Sequence, residues 1–308
     1  MKTVSIVARG FAMGAADVVP GVSGGTMALV LGIYPRFIGA LSGLSPGLVR
    51  DLLLGPRRLE AARKADLPFL VTLGVGIVLA VLSLSKVIPH LMAEHPEAMN
   101  GLFFGMIAAS LAVPLRLMTR VGPVEAFALL SAAVAAFVLT GLGQLPVQDS
   151  LGFLFVSGAI AICAMLLPGI SGSFLLLIMG QYTRVLGAIH ERDLLLLAVF
   201  GSGVALGILG FSRLLKALLH IAPNPTYAAL VGLMLGSLRK LWPFGVELEA
   251  PVVIAGKTVQ ATRSVWPWDG SYAGPVLLPV GLGLLGVVLV LGLERFGRQS
   301  SIASPSSP

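Results

Sequence analysis

Two stretches of the chain, PGVSGGTMALVLGIYPRFIGAL from Pro20 and PGISGSFLLLIMGQYTRVLGAI from Pro168, align without a gap. They share Pro20/Pro168, Gly21/Gly169, Ser23/Ser171 and Gly24/Gly172, then Gly32/Gly180, Tyr34/Tyr182, Arg36/Arg184 and Gly39/Gly187. Proline cannot continue a helix and glycine admits backbone conformations that other residues avoid, so each Pro-Gly pair breaks the apolar run around it. In hydrocarbon, a break frees N–H and C=O groups that must be buried in protein or line a watery cavity. The duplicated break therefore constrains this chain more than any other feature.

Hydrocarbon is the expected solvent, because 56% of the 308 residues are hydrophobic and only 11% are charged, against about 25% charged in soluble domains. The apolar blocks approach or exceed the roughly 20 residues of a spanning helix and lack the short alternating segments of a transmembrane barrel. Arg9 interrupts the first apolar stretch too early for a signal-peptide core, so no cleaved presequence is expected. Cys163 is the single cysteine, which excludes an internal disulfide and a cysteine metal cluster. His90, His95, His190 and His220 form no metal-helix spacing, and no metal or cofactor is expected. The net charge of +7 gathers in short loops rather than on one soluble face, which argues against nucleic acid and for the positive-inside rule.

The repeat extends beyond its motif: Asp66, Gly74, Gly76, Ser85, Pro96 and Gly105 align with Asp193, Gly201, Gly203, Ser212, Pro223 and Gly232. A basic linker at 45–65 is the insertion that shifts the register. The expected fold is an all-α polytopic membrane protein of two inverted-topology repeats, each a Pro/Gly-broken re-entrant helical hairpin plus three transmembrane helices. The first repeat, 1–143, contains a hairpin at 4–43 with arms 4–19 and 25–43, the basic inner linker, and spans 67–89, 98–118 and 123–143. The second, 151–298, contains a hairpin at 151–189 with arms 151–167 and 173–189, spans 194–219, 227–243 and 275–294, and an outer loop at 244–274. A disordered tail is expected at 299–308. Three crossings per copy is an odd number, so the second copy enters from the opposite face, as in many secondary transporters. With the N-terminus inside, thirteen basic residues, among them Arg9, Arg50, Arg57, Arg58, Arg63 and Lys64, fall on inner segments and seven, among them Arg239 and Lys240, on outer ones, so the N- and C-termini are expected on the inner side of a cytoplasmic membrane.

After each break, Ser23, Gly24, Gly25 and Thr26, or Ser171, Gly172 and Ser173, precede a strongly apolar helix. Such a helix start offers unpaired amides and hydroxyls to an anion. The same residues also suit plain capping and close helix packing. Neither copy has the lysine of a Walker A loop. Arg36 and Arg184 suit bidentate phosphate contacts or interfacial anchoring. Asp17 has Met165 as its counterpart, so it is an asymmetric carboxylate suited to proton coupling, to capping or to pairing with an arginine. Asp66 and Asp193 read as N-caps of the following spans.

The pair ADVVPGVSGGTMALVLGIY (16–34) and LLPGISGSFLLLIMGQY (166–182) resembles the polyprenyl-phosphate transporter family called PopT, and the resemblance covers nearly the whole chain. It implies translocation of undecaprenyl phosphate back to the inner leaflet for reuse. Its pattern carries onto Asp17, Pro20, Gly21, Ser23, Gly24, Gly25 and Thr26, and onto Pro168, Gly169, Ser171, Gly172 and Ser173; Arg36 and Arg184 are added on charge alone. The implied partner is a polyprenyl-phosphate lipid, with the oligomeric state left open. Two other classes share this logic: a membrane phosphatase acting on undecaprenyl pyrophosphate, which needs proton-transfer groups that these motifs lack, and a secondary transporter of small anions.

Overall fold

The computed structural model describes residues 3–19, 22–56, 58–143, 145, 148–254, 257–268, 270, 272 and 274–302. The chain opens with α1 (Thr3–Asp17), α2 (Gly24–Val30) and α3 (Tyr34–Ser42), then α4 (Pro46–Leu54) and α5 (Arg58–Lys64) across the basic linker. Next come α6 (Leu67–Leu84), α7 (Val87–Glu94), α8 (Pro96–Ser110), α9 (Ala112–Leu117) and α10 (Pro123–Gly141). The second broken region is α11 (Leu151–Leu166), α12 (Gly172–Ile178) and α13 (Tyr182–Glu191), followed by α14 (Leu194–Ile221) and α15 (Pro223–Ser237). A 3-10 turn (Leu238–Leu241) leads to β1 (Gly245–Ile254) and β2 (Lys257–Ser264), and α16 (Leu277–Ile302) closes the fold. Among the described residues, α6, α8 with α9, α10, α14 and α16 are long and apolar enough to cross a membrane. The protein is a polytopic helical membrane protein.

Glycine sets the helix pairing. α1 packs along α6 and α11 along α14, each pair joined by glycines at matching places. A Cβ at Gly10 would strike the Leu73 carbonyl and one at Gly76 the Val7 carbonyl; in the second pair, Gly203 lies as close to the Phe155 carbonyl, and a Cβ at Gly158 would come 2.5 Å from that of Phe200. Only residues without side chains let helix backbones approach so closely. The remaining helices exchange partners: α8 packs along α16, with Gly105 against Gly283, and α15 along α10, with Gly232 against Leu129. The second long element after one break thus packs on the third after the other.

Several elements differ from the sequence expectation. Each hairpin's second arm is two helices, because Gly32 and Gly180 both adopt φ +68 and close Schellman turns. The Ile33 amide returns to the Ala28 carbonyl and the Gln181 amide to that of Leu176, both at 2.9 Å. α12 and α13 consequently meet at 104°. The span expected at 67–89 is split into α6 and α7, since the polar Ser83, Ser85 and Lys86 end the apolar run. The span expected at 227–243 starts earlier, at Pro223, and gives a helix of 15 residues, below the length of a crossing. Its glycine face is buried on α10 instead. The chain is helical as expected, and the 244–274 loop additionally carries one antiparallel hairpin pairing Gly245 with Ser264 and Ile254 with Lys257. Helix α16 continues through Ile302, past the expected start of the tail at 299; residues 303–308 lie outside the described residues.

The core centres on α2. All seven of its residues are buried, and Met27, Leu29 and Leu31 pack with Met13, Phe69 and Leu73 and with Leu166, Leu230, Met234 and Val290 from the second half. α12 belongs to a separate, smaller cluster with Ala161, Ala164 and Ile170.

Candidate functional site

At the first break, α1 ends at Asp17 and the chain re-enters a helix at Gly24. Pro20 and Gly21 lie outside the described residues. Asp17 Oδ1 accepts the Gly24 amide at 2.7 Å, and Ser23 Oγ accepts that of Gly25 at 3.1 Å. Side chains from this one motif therefore cap the α2 amides, as a helix start requires.

The same motif satisfies the second break. Ser23 Oγ lies 3.2 Å from the carbonyl oxygens of both Met165 and Leu167, and Tyr34 Oη donates to that of Leu166 at 3.0 Å. Thr26 Oγ1 accepts the Gly169 amide at 3.1 Å. The backbone groups freed where α11 stops are thus paired with side chains 132 to 144 residues away. An unpaired backbone group here would cost several kcal/mol in hydrocarbon, so these contacts tie the two breaks into one junction. Gly169 adopts φ +89, and its Cα faces α15 so tightly that a Cβ would lie 2.7 Å from Met234 Cα. Pro168, immediately before it, is buried.

The start of α12 differs. Ser171 holds the N-cap position but its side chain makes no capping bond. Its Oγ lies 2.8 Å from Ser173 Oγ, and Ser173 is exposed. Gly172 lies against the Ala161 carbonyl, where a Cβ would come to 2.5 Å.

Beside the junction is a cavity of about 130 Å³, walled by Met13, Asp17, Gly24, Gly25, Phe37, Leu41 and Ile77 and by Ile162, Met165, Leu166 and Ile208. Among the described residues, Asp17 is its one ionisable wall residue. Among the described residues, no three His, Cys, Asp or Glu side chains gather to hold a metal ion.

Arg36 and Arg184 stand past the Schellman turns, at the far ends of α2 and α12 from the serines. Arg36 makes a bidentate pair with Asp66, at 2.6 and 2.9 Å, and lies 4.2 Å over the Phe69 ring. Asp66 holds the N-cap position of α6 as expected, but it adopts φ 50 and its side chain, turned to Arg36, makes no capping bond. Its counterpart Asp193 does cap α14, accepting the Leu195 and Leu196 amides. Arg184 donates to the carbonyls of Asp149 at 2.7 Å and Gln148 at 3.2 Å. Neither guanidinium is brought to a break.

Comparison with known proteins places this architecture. Residues 13–270 match the model of the undecaprenyl phosphate translocase-like family. The chain belongs to that family. A polyprenyl-phosphate transporter of Vibrio cholerae is 38% identical over 304 residues, covering 97% of this chain and 98% of its own. Another, of Staphylococcus aureus, is 32% identical over 260 residues, covering 79% and 87%. No solved structure gives a significant match.

Sequence reasoning missed three residues of this family member. Tyr34 stands in the sequence as a repeat marker, whereas its hydroxyl joins the breaks. Arg9 counts in the sequence as an inner-face charge, whereas it is buried and donates to the Gly297 carbonyl at 3.2 Å, joining α1 to α16. Its counterpart Ser157 donates within its own helix, to the Phe153 carbonyl. Lys240 counts among the outer basic residues, and it lies 5.2 Å from the ring of Phe174 in α12. Neither the burial of Arg9 nor the fold-back of Lys240 leaves a signal in local sequence.

Proposed function

We propose that this protein is a flippase for a polyprenyl phosphate, undecaprenyl phosphate in a bacterial-type cytoplasmic membrane, and that it returns the carrier lipid to the inner leaflet. The observation that carries the reading is the junction: Ser23, Thr26 and Tyr34 hold the backbone opened at 165–169, beside a cavity with a single carboxylate. An anionic headgroup suits a polar junction at membrane depth, and the prenyl tail can stay in lipid, so only the head needs shielding. The family and the names of its relatives support the same substrate class.

In this reading the two breaks belong to inverted repeats, and movement of one against the other exposes the junction to each side in turn. The matching glycine contacts and the exchange of α8 and α15 between their partners support that symmetry. The N- and C-termini are cytoplasmic and the β1–β2 hairpin is external. Asp17 couples the cycle to protons: ionised, it repels the phosphate; protonated, it admits it. Ser171 and Ser173, with Pro168 to Gly172, form the headgroup side of the junction, and Ser23 to Thr26 form the wall beside the coupling acid. Hydrolysis would need a positioned base, and among the described wall residues Asp17 alone carries an ionisable group.

Incubating the purified protein in nanodiscs with undecaprenyl phosphate, the pyrophosphate and inorganic phosphate separates the classes. The proposal expects retention of the intact monophosphate lipid, no phosphate release and no competition by inorganic phosphate. Release of phosphate from the pyrophosphate would make the protein an enzyme, and competition by inorganic phosphate would make it a small-anion carrier. Cysteines placed in 45–65 should be labelled from inside and those in the hairpin from outside; the reverse pattern would overturn the orientation.

A further inference from the structure

The two breaks carry opposite charges. At the first, Asp17 bonds the Gly24 amide, and the equivalent place at the second is held by Met165. At the second, the 3-10 turn after α15 brings Lys240 to α12, where its Nζ lies 5.2 Å from the centroid of the Phe174 ring. By the repeat register the first-half equivalents of Arg239 and Lys240 are Ala112 and Val113, so this cation has no twin. The neighbours divide their work: Arg239 is committed to α10, donating to the Phe137 carbonyl at 3.2 Å and covering the Phe137 ring. Lys240 is exposed, and among the described residues its ammonium makes no hydrogen bond or ion pair. Next to Phe174 in the chain is Ser173, exposed and in hydroxyl contact with Ser171.

We propose that Lys240, together with the Ser171 and Ser173 hydroxyls, is the phosphate-recognition set of this transporter, so that the headgroup docks on the second break alone. This rests on the lipid-phosphate reading above and narrows it to one half. A lysine ammonium is a compact point charge with three donors, suited to a phosphate monoester that arrives from lipid. Two hydroxyls add donors without adding charge. The ring of Phe174 keeps the ammonium close to α12 before the ligand arrives. The first break could not serve equally, since its carboxylate opposes an anion.

The test compares undecaprenyl phosphate with undecaprenol, the same tail without charge, binding to the full-length protein in nanodiscs. Wild-type protein should prefer the phosphate. Lys240→Ala should weaken phosphate binding about tenfold or more, leave undecaprenol binding and the unfolding temperature unchanged, and remove most of the salt dependence; Lys240→Arg should restore much of the loss. Unchanged phosphate affinity in Lys240→Ala, or an equal loss for phosphate and alcohol, would overturn the assignment while leaving the transport reading intact. Wild-type protein with no preference for phosphate over alcohol would overturn both.

Discussion

The helix start at the first break is sealed by side chains and that at the second is left open, although the two breaks share their Pro-Gly and Ser-Gly pairs. α2 is wholly buried, and its amides are met by Asp17 and Ser23. α12 starts from an uncapped Ser171 beside an exposed Ser173. One structural residue explains much of the difference: Ser23 bonds both its own helix and the opposite break, whereas Ser171 turns to Ser173. Duplication supplied two equivalent frames, and side-chain partnering turned one into a brace and left the other accessible. In the proposed reading the shared residues build the frame, and the asymmetric ones, Asp17 against Met165 and Lys240 against Val113, carry the functional roles.

The largest expected effect comes from filling the tightest point of the open break. Gly169→Ala must adopt φ +89 and push its Cβ to 2.7 Å from Met234 Cα. Strain and overpacking together cost about 2–6 kcal/mol, so the variant should be lost from the membrane or unfold well below the wild type. Gly24→Ala meets only the movable carboxylate of Asp17, at 2.5 Å, and should lose less. Thermal unfolding in detergent ranks the two; an equal loss would remove the distinction between a break set against backbone and one set against a side chain.

Next in size is the serine pair. Ser23→Ala removes a cap and a contact to the freed carbonyls, costing about 1–2 kcal/mol, while Ser171→Ala should cost only a few tenths of that because no capping bond is lost. Unfolding temperatures of the two variants check this, and a larger fall for Ser171→Ala would contradict the sealed-and-open division.

Asp17 separates bracing from coupling. Asp17→Asn keeps an oxygen that can accept the Gly24 amide, so it should fold and bind the lipid but transport it without regard to a pH gradient. Asp17→Ala loses the cap as well and should be about 1 kcal/mol less stable. Gradient-driven transport by a well-folded Asp17→Asn protein would leave Asp17 a brace alone.

The smallest effects belong to the arginines. Exposed ion pairs contribute about 0–1 kcal/mol, so Arg36→Ala, which releases Asp66, should shift stability little. Both Arg36→Ala and Arg184→Ala should reduce phosphate-lipid affinity less than Lys240→Ala does. A loss greater than that of Lys240→Ala would return the headgroup to the far ends of α2 and α12.

Much of the frame was legible in sequence because it depends on local rules. α1 and α11 both stop just before a Pro-Gly pair in the sequence, and the long apolar runs hold α6, α8, α10, α14 and α16. Gly32 and Gly180 stood out as matched residues, yet their role as turn-formers inside an apolar run follows only from their left-handed backbone. The β1–β2 hairpin was hidden by the helical composition around it. Arg36 meets Asp66 30 residues away, and Tyr34 meets Leu166 132 residues away; no spacing rule reaches that far. The position of Lys240 depends on α15 being short and ending in a 3-10 turn, which apolar length alone does not reveal.

The central claim is that a phosphate-bearing lipid crosses the membrane through the junction of the two breaks. Leaflet-resolved measurement of undecaprenyl phosphate in liposomes of uniform protein orientation, with and without a pH gradient, tests it most directly. The account predicts protein-dependent movement of the intact lipid from the outer to the inner leaflet, accelerated when the outer side is more acidic and abolished when Ser23 and Ser171, replaced by cysteine, are crosslinked. Lipid movement at the rate of protein-free liposomes, in a preparation that binds the lipid and remains folded, would contradict it.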